Sequence, residues 1–356
     1  MEVKMPKIIP KKFLTVILAT IMIFNLTACS QPKTSRFQAQ FLELFDTVTS
    51  IVGYAKDKDT FSEYVQMIYD NLEVYHKLFD IYNDYEGINN IKTINDNAGI
   101  NPVVVDKKII EFLKFSKEAY EFTGGKVNIA FGAVLAVWHE YREEGIENPE
   151  NAALPPMELL DEKAKHTDIN KIIIDEEAST VFLEDPEMRL DVGAIAKGYA
   201  TERVAEIMEE KGISGLLLSV GGNVRAIGGR DEKQKEWNVG IQNPDRDSDE
   251  QYLLITKVMD MSVISSGDYE RYYTVDGKEY HHIIDPNTLM PAQYFTAVSI
   301  LCKDSGMGDA LSTALFNMSL EEGKKLIESF DNTEALWVQK DGELVYSTGF
   351  EKYIKE

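Results

Sequence analysis

The chain has 356 residues, 44% of them hydrophobic, which is enough to bury one large core. Its 60 acidic side chains outnumber 37 basic ones, and the formal net charge is −23. This charge argues against nucleic-acid binding and against electrostatic adhesion to anionic lipid. A polyanionic ligand would need local positive charge on such a protein, which points to a metal ion.

The N-terminus has the features of a lipoprotein signal. Four lysines precede an apolar run at residues 13–24, which is too short to span a bilayer comfortably, and Leu26-Thr27-Ala28-Cys29 follows. We predict a signal peptide at residues 1–28, diacylated Cys29 as the mature N-terminus, and a polar tether at residues 29–40. The protein would then be anchored on the extracytoplasmic face of the cell membrane. A plain secretory signal or an N-terminal membrane anchor is the alternative, with Cys29 incidental.

The other cysteine, Cys302, lies in the apolar stretch 298–302 and is expected to be a small buried hydrophobe. If Cys29 carries lipid, Cys302 has no partner within the chain and no intramolecular disulfide can form. The fold must therefore be stabilised by its core.

The first elements in chain order are a β-rich stretch at residues 45–54 and two helices. Apolar residues at helical spacing indicate a long amphipathic helix: Tyr64, Ile68, Leu72, Tyr75 and Phe79. The second helix follows a predicted N-cap, Asp106, and ends at Gly124-Gly125. A polar insert is expected at residues 140–154.

Strands and helices are mixed irregularly after the insert. The expected order is a strand pair (171–175 and 180–183), a helix after the segment 191–199 that ends at Gly212, a strand at 216–220, further strands to about residue 300, a helix at 308–318, a helix capped by Ser319 and Glu322, and strands around Trp337 and Val345. Because there is no regular βαβ alternation, we predict a single α+β domain at residues 41–356.

The segment 191–199, Asp-Val-Gly-Ala-Ile-Ala-Lys-Gly-Tyr, has more small residues than packing requires. Small side chains at a turn into a helix allow the backbone to approach a bulky ligand. Asp191 supplies a hydrogen-bond acceptor and Lys197 a cation, and a helix N-terminus favours phosphate. A tight strand-to-helix turn is the alternative interpretation.

Two of the five histidines in the chain, His281 and His282, are adjacent. On a strand, neighbouring side chains point to opposite faces, so at most one of them faces a site. A histidine can act as a base for a hydroxyl nucleophile near neutral pH. A purely structural histidine is the alternative.

Asp309 and Thr313 are four residues apart on a predicted helix and therefore share one face. A carboxylate and a hydroxyl at this spacing suit Mg²⁺, which takes few protein oxygens and leaves room for phosphate oxygens and water. The alternative is an N-capping aspartate with an incidental threonine.

The order and spacing of these segments resemble the ApbE-type FAD:protein FMN transferases, from about residue 45 to the last strands. The segments that carry the resemblance are Phe45-Asp46-Thr47, Thr-Gly-Gly-Lys-Val-Asn at 123–128, residues 191–199, Val-Gly-Gly-Asn at 220–223, Ser-Gly-Asp-Tyr at 266–269, His-Ile-Ile-Asp-Pro at 282–286, and residues 309–313. The resemblance implies a flavin-transferase fold of the α+β class.

The resemblance also implies roles for individual residues. Asp309 and Thr313 match side-chain ligands of Mg²⁺, and Ala194 matches the position whose backbone carbonyl completes the site. His282 matches a histidine that assists catalysis. Contacts to the flavin nucleotide are implied for Phe45, Tyr82, Lys126, Val127, Asn128, Asp191, Lys197 and Ile284.

The activity implied by the resemblance is Mg²⁺-dependent transfer of FMN from FAD to a threonine hydroxyl of an extracytoplasmic acceptor protein, with release of AMP. One alternative is an FAD pyrophosphatase, in which water replaces the threonine. Another is a non-catalytic flavin-binding lipoprotein, which predicts a two-lobed α/β fold. No clear acceptor motif occurs in the chain, so the modified protein is expected to be another one.

The chain departs from the family pattern at two places. Val127-Asn128-Ile129-Ala130 stands where Phe-Asp-Pro-Thr is usual, so that an amide replaces a carboxylate. Leu289 stands where a glycine is usual. Neither departure removes a predicted metal ligand.

Overall fold

The computed structural model describes residues 34–356. The predicted signal peptide and Cys29 lie outside the described residues. Within the described range, no helix is long and apolar enough to cross a membrane.

Antiparallel strands form the framework of the domain. In chain order they are β1 (Ser35–Phe41), β2 (Thr49–Ala55), β3 (Val103–Val104), β4 (Ile172–Asp175), β5 (Thr180–Leu183), β6 (Leu216–Val220), β7 (Asn223–Ile227), β8 (Trp237–Gln242), β9 (Tyr252–Val258), β10 (Ser262–Gly267), β11 (Tyr272–Val275), β12 (Lys278–His281), β13 (Phe295–Cys302), β14 (Glu334–Gln339) and β15 (Leu344–Tyr346). Eight of them form one sheet, in the order β1-β2-β6-β7-β10-β13-β14-β15. The others form the pairs β8–β9 and β11–β12 and the small sheet β3-β5-β4.

The helices are α1 (Lys58–Phe79), α2 (Ile91–Asp96), α3 (Lys107–Phe122), α4 (Gly132–Glu147), α5 (Met157–Ala164), α6 (Ala196–Glu210), α7 (Ser305–Phe316) and α8 (Leu320–Glu328). Side-chain caps determine where several of them begin. The Asp106 carboxylate accepts the Lys108 N–H at the start of α3, and Ser319 and Glu322 form the predicted capping box of α8. The helix predicted from apolar spacing at residues 64–79 is α1.

The main core lies between the large sheet and the helices α1, α6 and α7. The β8–β9 hairpin contributes to a second cluster, in which Trp237 joins Leu301 and Leu336 of the sheet. A third cluster joins α4 to the β11–β12 hairpin around Trp138 and Tyr273. These layers form a mixed α+β domain, which confirms the fold class predicted from the sequence.

The first strand begins earlier than the sequence predicted. Ser35–Phe41 pairs with β2 in an antiparallel register, so residues 35–40 are not the polar tether that we expected. Every second residue from Phe37 is apolar and packs against the core. A strand with one solvated face needs only this alternation, and the polar outer residues concealed it. β2 accordingly starts at Thr49, not at residue 45.

The segment predicted as a polar insert at residues 140–154 is helical over its first half. α4 continues to Glu147, with Val134, Val137 and Trp138 buried on one face. The polar side chains after residue 140 belong mainly to the outer part of this helix, since only Gly145 of residues 140–147 is buried. The expectation of an insert therefore fails for residues 140–147.

Candidate active site

One large cavity, of about 1090 Å³, opens where the C-terminal end of α1, the start of α6, the β6–β7 turn and one face of α7 converge. Every site residue that the sequence predicted within the described range lines it: Phe45, Tyr82, Lys126, Val127, Asn128, Asp191, Ala194, Lys197, His282, Ile284, Asp309 and Thr313. The fold thus brings these residues together from both ends of the domain, and the role of each one stays a prediction.

Asp309 is positioned by a close crossing of α6 and α7. Its Oδ2 accepts the backbone N–H of Gly198 at 2.7 Å. A Cβ at Gly198 would lie 2.3 Å from the Ser305 carbonyl oxygen and 2.4 Å from the Asp309 Cβ. Only glycine allows the two helices to approach this closely. Gly198, the second glycine of the 191–199 segment, is therefore required for the contact that orients the carboxylate.

The groups around Asp309 fit a hard cation such as Mg²⁺. The carboxylate is 6% exposed, and burial raises its pKa, while Lys197, the Gly198 N–H and the Asn223 side chain oppose that rise. A buried carboxylate with so few partners is stabilised by a nearby positive charge. The Asn223 side chain, also on the cavity wall, is buried beside this carboxylate.

One face of α7 presents a row of oxygens to the cavity. Asp309, Thr313 and Asn317 follow at intervals of four residues, and all three line it. The Asn317 Oδ1 is buried and has no hydrogen-bond partner. No group of three or more His, Cys, Asp or Glu side chains that could hold a metal occurs among residues 34–356. A cation here would therefore need the Thr313 hydroxyl, a backbone carbonyl such as that of Ala194, and oxygens of the substrate.

The adjacent histidines are held differently. His281, at the end of β12, donates from Nε2 to the Ala292 carbonyl at 2.7 Å, and its Nδ1 accepts the Ile283 N–H at 3.2 Å. Both of its ring nitrogens are therefore used by the backbone. The Nδ1 of His282 lies 3.2 Å from the Arg271 carbonyl oxygen, which can only accept. The proton is thus assigned to Nδ1, and Nε2 keeps a lone pair available to a ligand in the cavity.

The environment of His282 keeps its ring neutral. Burial lowers its pKa to about 3, and the positive charge of Arg271 acts in the same direction. His281, Lys197 and Arg142 contribute further to the lowered pKa of His282. An uncharged imidazole with a free Nε2 can accept a proton. The geometry is that of a candidate general base.

Cationic side chains to which the sequence analysis gave no role also line the cavity. They are Arg142, from α4, Arg246, from the loop between β8 and β9, and Arg271, which precedes β11. Burial and the nearby charge of Arg271 lower the pKa of Arg142. With Lys197, these like charges favour an anion, and arginine suits phosphate. Arg142 was missed because no local motif marks it and its segment was predicted to be an insert.

The Asn128 amide, which replaces the usual carboxylate, is engaged by the backbone. Its Oδ1 accepts the Ala130 N–H at 2.9 Å, and its Nδ2 donates to the Thr167 carbonyl at 2.8 Å. A carboxylate could not donate the second of these bonds. The amide therefore fixes the turn that carries Lys126 and Val127 to the cavity.

Leu289, which replaces the usual glycine, has a left-handed backbone conformation with φ 60°. This conformation is unfavourable for a side-chain-bearing residue and explains why glycine suits the position. Here the leucine is buried in the cluster around Trp138, whose indole N–H donates to the Leu289 carbonyl at 2.9 Å. Packing and this bond hold the turn that follows His282.

Lys126 and Asp285 form a largely buried ion pair, with 3.0 Å between Lys126 Nζ and Asp285 Oδ1. The same carboxylate oxygen accepts the Asn287 N–H at 3.0 Å. Asp285 is thus committed to an ion pair and a turn, which makes it a poor alternative to His282 as a base.

The chain is similar to known sequences of one family. The family model described as ApbE matches residues 45–337. An FAD:protein FMN transferase of Klebsiella pneumoniae (strain 342) is 30% identical over 280 residues, covering 76% of this chain and 84% of the relative. That of Treponema pallidum (strain Nichols) is 33% identical over 272 residues, 73% of each protein.

Solved structures share the fold. The ApbE protein of Thermotoga maritima superposes with a TM-score of 0.78 at 27% identity, covering 90% of this chain and all (100%) of that one. The flavin transferase ApbE of Vibrio cholerae gives 0.72 at 22% identity with coverage of 90% and 100%, and at this identity the likeness concerns the fold alone. Since the family model spans most of the chain and the relatives align over most of their length, the protein belongs to the ApbE family.

Proposed function

We propose that the protein transfers FMN from FAD to a threonine hydroxyl of an extracytoplasmic acceptor protein and releases AMP. The observation that carries this proposal is a single cavity that holds a neutral histidine with a free Nε2, a cluster of cationic side chains and the oxygen-lined face of α7. The names of the sequence relatives support the same reaction.

The cavity offers separate surfaces to the parts of FAD. Arg142, Arg271 and Lys197 lie where they can offset the negative charge of a diphosphate. Phe45 and Tyr82 present aromatic rings to a planar group. The volume of about 1090 Å³ is at the upper end of what small-molecule sites provide, and it leaves space for part of an acceptor chain.

The chemistry is phosphoryl transfer. The acceptor oxygen forms a bond to the phosphorus on the FMN side, and the bond from that phosphorus to the bridging oxygen breaks, so that AMP leaves with the bridging oxygen. His282 Nε2 accepts the proton of the attacking hydroxyl, while the Arg271 carbonyl keeps the ring oriented. Mg²⁺ held by Asp309, Thr313 and the Ala194 carbonyl would stabilise negative charge on the diphosphate.

We further propose that the protein is a lipoprotein anchored through Cys29. The order of charge, apolar run, small residues and cysteine in residues 1–29 supports this assignment. A substrate protein would then be reached on the outer side of the membrane.

Mass spectrometry of a candidate acceptor tests the proposed reaction. The protein is incubated with FAD, Mg²⁺ and an acceptor that carries a flavinylation-motif threonine. We expect the acceptor mass to rise by one FMN residue, with one AMP released per acceptor modified. Removing Mg²⁺ with a chelator and replacing the acceptor threonine by valine are the controls. AMP and FMN released with no change in acceptor mass would instead identify the protein as an FAD pyrophosphatase.

A further inference from the structure

The loop between β1 and β2 carries Phe45 in an unusual backbone conformation. Phe45 and Asp46 both lie in the left-handed region, with φ 56° and 50°. Two consecutive residues with side chains rarely adopt this conformation, because their Cβ atoms crowd the backbone. Such strain persists where the surrounding structure enforces it, and it is concentrated at ligand sites.

His76, near the end of α1, is the group that meets this loop. The Phe45 N–H donates to His76 Nδ1 at 3.2 Å, and the two rings are 5.5 Å apart in an edge-to-face arrangement. Leu44 anchors the loop in the core at 2% exposure. His76 thus provides a hydrogen-bond acceptor where the strained backbone needs one.

A hydrogen-bonded chain continues from His76. Because a backbone N–H only donates, His76 Nδ1 must accept, and the ring proton is therefore on Nε2. Nε2 lies 3.3 Å from the hydroxyl oxygen of Tyr85, whose own proton is donated to Asp80 Oδ2 at 2.8 Å. Each donor in the chain meets one acceptor, so the direction of the bonds is consistent.

This hydrogen-bonded chain ends at a second aromatic residue. Asp80 Oδ1 accepts the backbone N–H of Tyr82 at 2.7 Å. The Tyr82 ring is 56% exposed, lines the cavity and lies 5.7 Å from the ring of His139. The two ends of one hydrogen-bonded chain therefore carry the two aromatic rings, Phe45 and Tyr82, that were predicted to contact the flavin nucleotide.

We propose that His76, Tyr85 and Asp80 are positioning residues that hold Phe45 and Tyr82 at a fixed separation for a planar heteroaromatic ring of the substrate. The inference rests on the proposed function, in which that substrate is FAD. Contacts between aromatic rings depend strongly on their offset and separation, so the holding chain determines how well the ring binds. Of the three, His76 and Asp80 also line the cavity, and Tyr85 does not, so Tyr85→Phe changes the hydrogen-bonded link without changing the cavity lining.

Three variants test this hydrogen-bonded chain. His76→Phe keeps a ring but removes the acceptor for Phe45, and His76→Asn restores an acceptor near the position of Nδ1. Tyr85→Phe removes only the hydroxyl that links His76 to Asp80. His166→Phe is the matched control, because His166 bonds to Asp185 at 2.9 Å and does not line the cavity. Binding of FMN and of AMP is measured separately, with flavin fluorescence quenching and thermal unfolding recorded for every variant.

We expect His76→Phe to weaken binding of one ligand, FMN or AMP, about tenfold, the upper range for an aromatic contact, and His76→Asn to recover most of it. The affected ligand identifies the ring that is held. Tyr85→Phe should weaken binding less, and His166→Phe should not. Unchanged binding of both ligands to His76→Phe, or equal loss in His76→Asn, would overturn the proposal.

The binding readouts distinguish this proposal from the proposed function. They require neither an acceptor protein nor turnover. If the expected pattern is seen while the acceptor is never modified, the proposed transfer fails and the positioning chain stands. If His76→Phe does not fold, Tyr85→Phe decides the test, because deleting one hydroxyl leaves the packing in place. If a folded Tyr85→Phe bound and quenched like the wild type, the proposal that this hydrogen-bonded chain positions the rings would then be overturned.

Discussion

The Arg271 carbonyl holds the ring proton of His282 on Nδ1, so Nε2 of this cavity-lining residue keeps a lone pair. Its neighbour His281 has both nitrogens bonded to the backbone and packs edge-on against Phe316. Two adjacent residues of one type therefore have different chemistry, and the difference can be measured.

We expect His282→Ala to slow FMN transfer by about 10²–10⁴-fold, the usual contribution of a general base. FAD affinity should change little, because the cationic residues and α7 are left in place. His281→Ala should lower stability more than it lowers the rate, since it removes the bond to Ala292. Single-turnover rates and thermal unfolding of both variants provide the measurement. Small, equal rate losses in the two would make His282 structural.

The low pKa of His282 predicts an unusual pH dependence. In the free protein the pKa is about 3, so the ring is unprotonated at higher pH and kcat/KM should show no acid limb from this group between about pH 8 and about pH 5. If FAD binds as proposed, its diphosphate lies beside Arg271 and Lys197, and this negative charge should raise the pKa of His282. The acid limb of kcat should therefore lie at higher pH than that of kcat/KM. A kcat/KM limb near pH 6.5 that vanishes in His282→Ala would contradict the desolvated ring.

Asp309→Asn should abolish the stabilisation of the protein by Mg²⁺ without destabilising the metal-free protein. Burial raises the pKa of this carboxylate, which means that its charge opposes folding at neutral pH. The neutral variant should therefore unfold at the same or a higher temperature without Mg²⁺, and it should lose the stabilisation by Mg²⁺ with FAD. Unfolding is followed with and without Mg²⁺, and Thr313→Ser is the conservative control. Wild-type stabilisation by Mg²⁺ in Asp309→Asn would contradict the assignment.

At the scale of elements, one carboxylate joins three parts of the site. Glu202 of α6 accepts the backbone N–H of Ser305, the first residue of α7, at 2.7 Å. The same oxygen accepts from Arg225 Nε of β7 at 3.1 Å. Arg225 is fully buried, with further carboxylates at Glu209 and Asp260. The helix that carries Asp309 is thus fixed to the helix and the strand beside it.

Glu202→Ala should lower the free energy of unfolding by about 3 kcal/mol, because it leaves a buried arginine partly unpaired. Glu202→Gln should cost less, since its amide oxygen can still accept the Ser305 N–H. Denaturant unfolding of the two variants at equal ionic strength is the measurement. A loss below about 1 kcal/mol in Glu202→Ala, the range of an exposed pair, would show that Glu209 and Asp260 replace it.

At the scale of the whole molecule, an acidic protein brings several of its basic side chains to one cavity. The net charge is −23, yet the side chains of Arg142, Lys197 and Arg271 all line this one cavity. This net charge does not favour adhesion to anionic lipid, so the proposed attachment to a membrane would depend on the predicted lipid on Cys29.

Cys29→Ala should leave the protein unprocessed or release it from the membrane fraction. Cys302→Ala is the matched control, because that thiol is fully buried and lies in β13. Fractionation and the mass of the mature N-terminus distinguish the outcomes. Normal processing and membrane attachment of Cys29→Ala would contradict the lipoprotein assignment.

Features that depend on neighbouring residues could be predicted from the sequence. The Asp106 cap, the Ser319 capping box, the period of α1 and the shared face of Asp309 and Thr313 each follow from a few positions along the chain. The β1 strand and the C-terminal part of α4 were missed because their polar outer faces resemble a tether and an insert.

The contacts that give those residues their chemistry arise only from the tertiary structure. Sequence spacing contains no information on the Gly198 N–H that meets Asp309, on Arg142 beside Arg271, or on the carbonyl that sets the tautomer of His282. Each contact joins separate elements, and its geometry depends on how closely helices and strands pack. Local sequence therefore determined which reactive groups this protein has, and packing decided which of them face one another.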